Sequence, residues 1–163
     1  MPKIVPCLWF DDKAEEAVKF YTSIFKKAKI GRISRFGKEG YEIHGGKEGT
    51  VLTAEFTIEG MPFTTLNGGP QFKFNEAVSF QVMCKTQREV DYYWKKLSAG
   101  GDKKAQQCGW LKDRFGLSWQ VVPDVLPRMM SDKYPRKADR VMKALLKMKK
   151  LDIAKLKRAY KGG

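Results

Sequence analysis

One histidine, three cysteines and a few amides set beside tryptophans are the residues of this 163-residue chain whose types could do chemistry. His44, the sole imidazole, lies in Ile43-His44-Gly45-Gly46, a polar Gly-rich stretch that reads as loop. It is either a solvated side chain or a base that closes over a binding cleft. Glu55 stands between Ala54 and Phe56 in an alternating run, so its carboxylate faces solvent or an interior cleft, and facing inward it would be a candidate general base. Cys7 and Cys84 fall in apolar runs where a small thiol is ordinary core material, whereas Cys108, beside Gly109 in a polar stretch, is expected at the surface. No two of the three have the close spacing of a zinc site, so free thiols are expected. Trp9, Trp110 and Trp119 lie on strand-like runs. With Asn67, Ser79, Gln81 and Gln120 they would suit a mostly apolar pocket for a planar or oxygenated small molecule, although tryptophans on strands also serve as core.

The elements that must position these residues occur twice. Ile4 to Phe10 is an apolar run; Asp12 with Glu15 has the spacing of a capping box, and Ala14, Ala17, Val18, Tyr21, Ile24 and Phe25 recur at helical spacing. Seventy-four residues later the order repeats. Val78 to Cys84 is apolar, Thr86 with Glu89 makes a second capping box, and Val90, Tyr93, Trp94 and Leu97 mark a helix face that Gly100-Gly101 ends. After the first helix, Lys29 to Phe36, Thr50 to Ile58 and Pro62 to Leu66 read as strands, with Gly37 to Gly49 a loop and Glu59-Gly60 a turn. After the second, Ala105 to Gln107, Trp110 to Lys112 and Leu117 to Val122 read as shorter strands. The pattern is β-α-β-β-β twice, an α+β chain whose curved sheets would share a cleft. The boundaries follow: residues 1–67 form the first module, 68–76 a linker, 77–127 the second module, and 128–163 a helical tail. Gly68-Gly69-Pro70 reads as a turn between modules rather than a phosphate loop, because no helix follows it.

The runs Leu8-Trp9-Phe10-Asp11, Ala14 to Tyr21, Leu66-Asn67-Gly68-Gly69-Pro70, Cys108-Gly109-Trp110-Leu111-Lys112-Asp113 and Phe115 to Pro123 resemble the PhnB-like branch of the vicinal oxygen chelate superfamily. This is the glyoxalase, bleomycin-resistance and extradiol-dioxygenase fold. The resemblance spans essentially the whole chain, including Met148 to Ile153. It implies a cleft in which a divalent metal, held by His, Glu or Gln on strands of both modules, acts as a Lewis acid on substrate oxygens. Carried over by position, the first ligand falls near Val5 or Cys7, the second on Asn67, the third on Ser79 and the last on Gln120. Only Gln120 is a usual ligand type, and a set without carboxylate or imidazole would hold a transition metal weakly. No cofactor is therefore expected, since the usual ligands are missing, with a divalent metal as the alternative. Members of the branch are often labelled 3-demethylubiquinone-9 3-methyltransferase, but methyl transfer from S-adenosylmethionine usually calls for a doubly wound sheet with a Gly-rich first turn, which this pattern does not offer.

Two function classes follow. One is a binding protein for a small oxygenated or aromatic molecule; the other is a metal-dependent enzyme of lyase, isomerase or dioxygenase type. The net charge of +14 favours a neutral or anionic ligand over a cationic one. Its distribution is uneven: residues 128–163 carry 13 Lys and Arg against 3 Asp, or +10, and the preceding 127 residues carry 19 against 15, or +4. The tail reads as a helix from about Arg136, with Val141, Leu145, Met148 and Leu156 on its apolar side, and a shorter one capped by Asp152 that runs to Tyr160. Without aromatic interleaving or a nucleic-acid module, these features argue against nucleic acid and for a tail packed on the domain or on a second subunit of a homodimer. The absence of a long apolar run or an apolar leader leads to the expectation of a cytoplasmic protein.

Overall fold

Residues 3–163 are described by a computed structural model. The chain divides into two units, Met1–Phe74 and Asn75–Gly163. In the first, the order is β1 (Cys7–Phe10), α1 (Ala14–Ile24), β2 (Ala28–Arg35), α2 (Tyr41–His44), β3 (Val51–Ile58) and β4 (Met61–Asn67). The four strands form one sheet in the order β1-β4-β3-β2, with β1 parallel to β4 and the other pairs antiparallel. Strand alternation sorts the side chains onto two faces. Leu8, Phe10, Ala54, Phe56, Ile58 and Phe63 are buried, as are Ala14, Ala17, Val18, Tyr21 and Ile24 of α1. Tyr21 stacks on Phe56 and Phe56 on Phe63, with centroids 5.8 and 4.9 Å apart. Burying a side chain such as Val18 or Ile24 contributes about 1.5–3 kcal/mol each, so the helix is held mainly by this stripe.

The cap of α1 differs from the sequence expectation. Its N-cap is Lys13, without a side-chain hydrogen bond, and Asp12 closes no capping box. Instead Ala14 N–H donates to Asn67 Oδ1 at 2.8 Å, so the end of β4 supplies the acceptor that the local sequence was expected to provide. Cys7, expected in the core, is exposed because its position in β1 points away from α1. The segment expected as loop between Gly37 and Gly49 contains α2, a single turn between Gly40 and Gly45, both in the left-handed region at φ +80° and +66°.

The second unit comprises β5 (Phe80–Cys84), α3 (Gln87–Leu97), a 3-10 turn at Lys103–Ala105, β6 (Trp110–Lys112), β7 (Ser118–Pro123), α4 (Val125–Met130), α5 (Pro135–Leu145) and α6 (Ile153–Lys161). Its sheet has the order β5-β7-β6, again with the leading strand parallel to the closing one. The strand expected at Ala105 to Gln107 is absent: Asp102 caps the 3-10 turn through Lys104 N–H, and only an isolated bridge joins Gln107 to Trp110. The Thr86 and Glu89 capping box forms in full, Glu89 N–H donating to Thr86 Oγ1 at 3.2 Å and Thr86 N–H to Glu89 Oε2 at 3.1 Å.

The tail packs on this unit. Val141, Leu151 and Leu156 are buried with Val122, Leu126 and Met129, where α4 is a helix the sequence reading lacked. Asp152 caps α6 by accepting from Lys155 N–H, as its position implied. Arg140 donates to the carbonyls of Ala159 and Tyr160 at 2.9 and 2.8 Å, closing the far end of α6. Cys108 and Gly109 N–H donate to the carbonyls of Met148 and Lys149, both at 2.8 Å. Cys108, expected at the surface, is therefore half-buried under the tail. No helix among the described residues is long and apolar enough to cross a membrane.

Candidate functional site

Register decides which residues can meet on a sheet face. In the first unit Cys7 lies opposite Thr64 and Thr64 opposite Glu55, so the three form a row on the face away from α1. Glu55 is paired with Arg32, Oε1 to Nη2 at 3.1 Å, and both side chains are well exposed. Trp9 lies on the same face, half-buried, its indole N–H donating to Gly69 O at 2.8 Å and its ring edge-on to Phe72. A Cβ at Gly68 would stand 2.3 Å from that ring, and Gly69 has φ +95°; this turn is glycine because an indole covers it. Asn67 is on the opposite, helix-facing side. Besides accepting from Ala14, it donates through Nδ2 to Val51 O at 3.0 Å, so it ties α1, β3 and β4 together.

His44 is committed locally. Gly46 N–H donates to Nδ1 at 2.9 Å, which leaves the proton on Nε2 to be donated to Glu39 O, also at 2.9 Å. The ring lies against Phe36, with centroids 4.6 Å apart.

In the second unit Gln81 lies opposite Gln120 and Gln120 opposite Trp110. The row bears a side-chain relay on the face away from α3. Gln81 Nε2 donates to Gln120 Oε1 at 3.2 Å, and Gln120 Nε2 donates to Ser79 Oγ at 2.8 Å. Gln81 is exposed and the other two half-exposed. The structure thus brings together Ser79, Gln81, Trp110 and Gln120. It does not bring Trp119 to them: that indole is 3% exposed on the α3 side, packed beside Phe80.

Trp119 N–H donates to Asp113 Oδ2 at 2.9 Å, and Asp113 Oδ1 accepts from Phe115 and Leu117 N–H at 2.8 and 3.1 Å. Asp113 is 2% exposed, a buried carboxylate with three donors that fixes the turn between β6 and β7. Sequence reading placed it only in a turn; the signal for its larger part is Asp followed six residues later by a strand tryptophan.

A cavity of about 390 Å³ opens beside this face, lined among others by Glu76, Gln107, Cys108, Trp110, Lys112 and Ser118. That volume suits a small organic molecule. Lys112 Nζ stands 2.5 Å from Glu76 Oε1, and its hydrogen bond holds the Glu76 carboxyl below the usual carboxylate range.

A model of the family described as 3-demethylubiquinone-9 3-methyltransferase matches residues 2–122. The chain belongs to this PhnB-like family. A PhnB protein from Bacillus cereus is 38% identical to it, and the match covers 75% of this chain and 99% of that one with a TM-score of 0.63. Two solved structures share the PhnB-like chain's glyoxalase fold at lower identity. The fosfomycin resistance protein FosX from Listeria monocytogenes is 17% identical over 80% of this chain and 98% of its own, with a TM-score of 0.52. A glyoxylase/bleomycin resistance protein/dioxygenase domain from Frankia sp. EAN1pec is 14% identical over 76% and 91%, with a TM-score of 0.50. No curated protein sequence matches the chain. The family model stops at residue 122, so α4, α5 and α6 of this PhnB-like chain lie beyond it.

The positions that the resemblance carried over as metal ligands hold few of the usual ligand types. Asn67 faces α1, Ser79 and Gln120 are joined to each other, and Cys7 and Val5 bring no carboxylate or imidazole. Among the described residues no group of three or more His, Cys, Asp or Glu side chains could hold a metal ion.

Proposed function

We propose that this PhnB-like protein binds a small planar or oxygenated molecule, neutral or anionic, on the open face of its second sheet, through side chains rather than through a metal. The observation that carries this reading is the relay from Gln81 through Gln120 to Ser79, in one row with the half-exposed face of Trp110. Amides joined in a chain have defined orientations. Gln120 spends one donor and one acceptor within the relay and retains a second donor hydrogen and a second lone pair for a ligand. Trp110 supplies a flat apolar surface on which a ring can stack. Lys112 adds a positive charge that Glu76 offsets until a ligand carboxylate competes for it.

Binding, rather than a defined reaction, is the function we assign. A metal-dependent enzyme reading would need Glu55, which shares its row with Cys7 and Thr64, but that carboxylate is engaged by Arg32. The methyltransferase in the family's description is not the activity we assign. We also read the protein as a cytoplasmic homodimer: its three cysteines are free thiols, and a second copy is the simplest partner for the edge strand β2, which leaves Ile30 and Ile33 exposed.

The reading is tested by titrating the protein with benzoate, catechol and 4-hydroxybenzoate while following tryptophan fluorescence. Binding of at least one, weakened about tenfold by Gln120→Ala, is expected. Affinity that Gln120→Ala and Trp110→Ala leave unchanged, or no binding to any of the three, would refute the assigned face. Elemental mass spectrometry after incubation with nickel, zinc, manganese or iron(II) addresses the competing reading, since retention of one equivalent would make a metal enzyme the better account.

A further inference from the structure

A second hollow lies far from the relay in chemistry. Of about 430 Å³, it sits between α3 and the segment joining α5 to α6, lined by Gln87, Asp91, Lys147, Met148, Lys149, Lys150, Asp152 and Lys155. Four ammonium groups face two carboxylates there. Asp91 is engaged by Lys150 at 2.5 Å and Asp152 lies 4.0 Å from Lys155, which leaves the two remaining charges on Lys147 and Lys149. Among the described residues neither of these is in an ion pair, and both are exposed.

The frame behind the lysines is fixed. Gln87 accepts from Ile153 N–H at 2.8 Å and donates to Leu151 O and Asp91 Oδ1, each at 3.1 Å. The carbonyls of Met148 and Lys149 accept from Cys108 and Gly109, and Leu151 is fully buried. Three lysines in four residues are therefore carried on a fixed backbone, two of them with charges that no carboxylate among the described residues offsets. Such a frame raises the local potential and gains most from a multivalent anion. The volume exceeds what one phosphate group would fill, and the tail's charge of +10 extends the field around it.

We propose that this hollow is a binding site for a small ligand bearing two or three linked phosphates, gripped by Lys147 and Lys149. Its four lysines lie in the part of the chain beyond the family match, Gln87 and Asp91 lie within it, and the hollow shares no lining residue with the relay on the second sheet.

Isothermal titration calorimetry of the full chain at low ionic strength, with pyrophosphate and tripolyphosphate as probes, tests this. One site per chain is expected, with affinity falling as salt is raised. Lys147→Gln with Lys149→Gln should weaken it about tenfold. A control pair, Lys157→Gln with Lys161→Gln, removes the same charge from the tail outside the hollow and, compared at about 0.15 M salt where the Debye length is about 8 Å, should change it less than twofold. Asp91→Asn frees Lys150 and should tighten binding, a gain that a misfolded variant would not produce. An ATP arm separates sources: equal affinity for ATP and tripolyphosphate points to the phosphates alone, and tighter ATP to a nucleotide. No heat with either probe, or equal weakening by the two lysine pairs, would overturn the site. So would binding confined to a single-stranded RNA oligonucleotide, which would make the tail a diffuse nucleic-acid surface.

Discussion

Asp113 shows how one side chain can decide a local structure. Its two oxygens accept from Trp119, Phe115 and Leu117, all within a buried turn. Asp113→Ala would strand three donors and is expected to cost about 3 kcal/mol, read as a lower denaturant midpoint with unchanged slope. Gly68→Ala should be costly for a different reason, because its methyl would collide with the Trp9 ring; about 1–3 kcal/mol is expected. The thiols separate by burial. Desolvation pushes Cys84 up to about 12, whereas Cys7 is exposed. With a disulfide reagent at pH 8, Cys7 should react at once and Cys84 only after unfolding.

At the scale of elements, the α3 cap carries a pH dependence whose sign follows from its hydrogen bonds. Lys85 and Thr86 N–H both donate to Glu89 and hold its carboxyl below the ordinary 4.5. The group's contribution is complete above 4.5 and fades as the pH falls through the depressed folded value. Thr86→Ala removes the reciprocal bond and should cost about 1 kcal/mol. Asp91, lowered first by its bond to Lys150 and then by Gln87, titrates in the same direction, so the join of α3 to the tail should loosen in acid. This cap was legible in the sequence because both of its partners lie within four residues. The cap of α1 was not, since its acceptor, Asn67, comes from 53 residues away in β4. The same distinction explains the second unit's strands. β6 and β7 were visible from alternation and turn residues, but the strand expected at Ala105 to Gln107 is preempted at its start by the 3-10 turn that Asp102 caps, leaving only the isolated bridge of Gln107 to Trp110. Periodicity also placed Cys7 in a strand without saying which face, and facing is what makes it exposed.

For the whole molecule, family and fold were readable from motifs spread over the chain, because the PhnB-like pattern repeats in residues the fold needs in both units. The candidate site was readable only in part. Gln81 and Trp110 flank Gln120 because β7 pairs parallel with β5 and antiparallel with β6, and Ser79 joins through its hydrogen bond to Gln120, whereas Trp119, one residue before Gln120, is turned into the core by the same alternation. The dimer proposal is checked by light scattering at micromolar concentration, with twice the 18.7 kDa chain mass expected. The central claim, ligand binding on the second sheet without a metal, is met most directly by NMR of metal-free protein titrated with 4-hydroxybenzoate. The account predicts shifts of the Trp110 indole and of the Gln81 and Gln120 side-chain amides; shifts confined to other residues, or appearing only after a divalent metal is added, would contradict it.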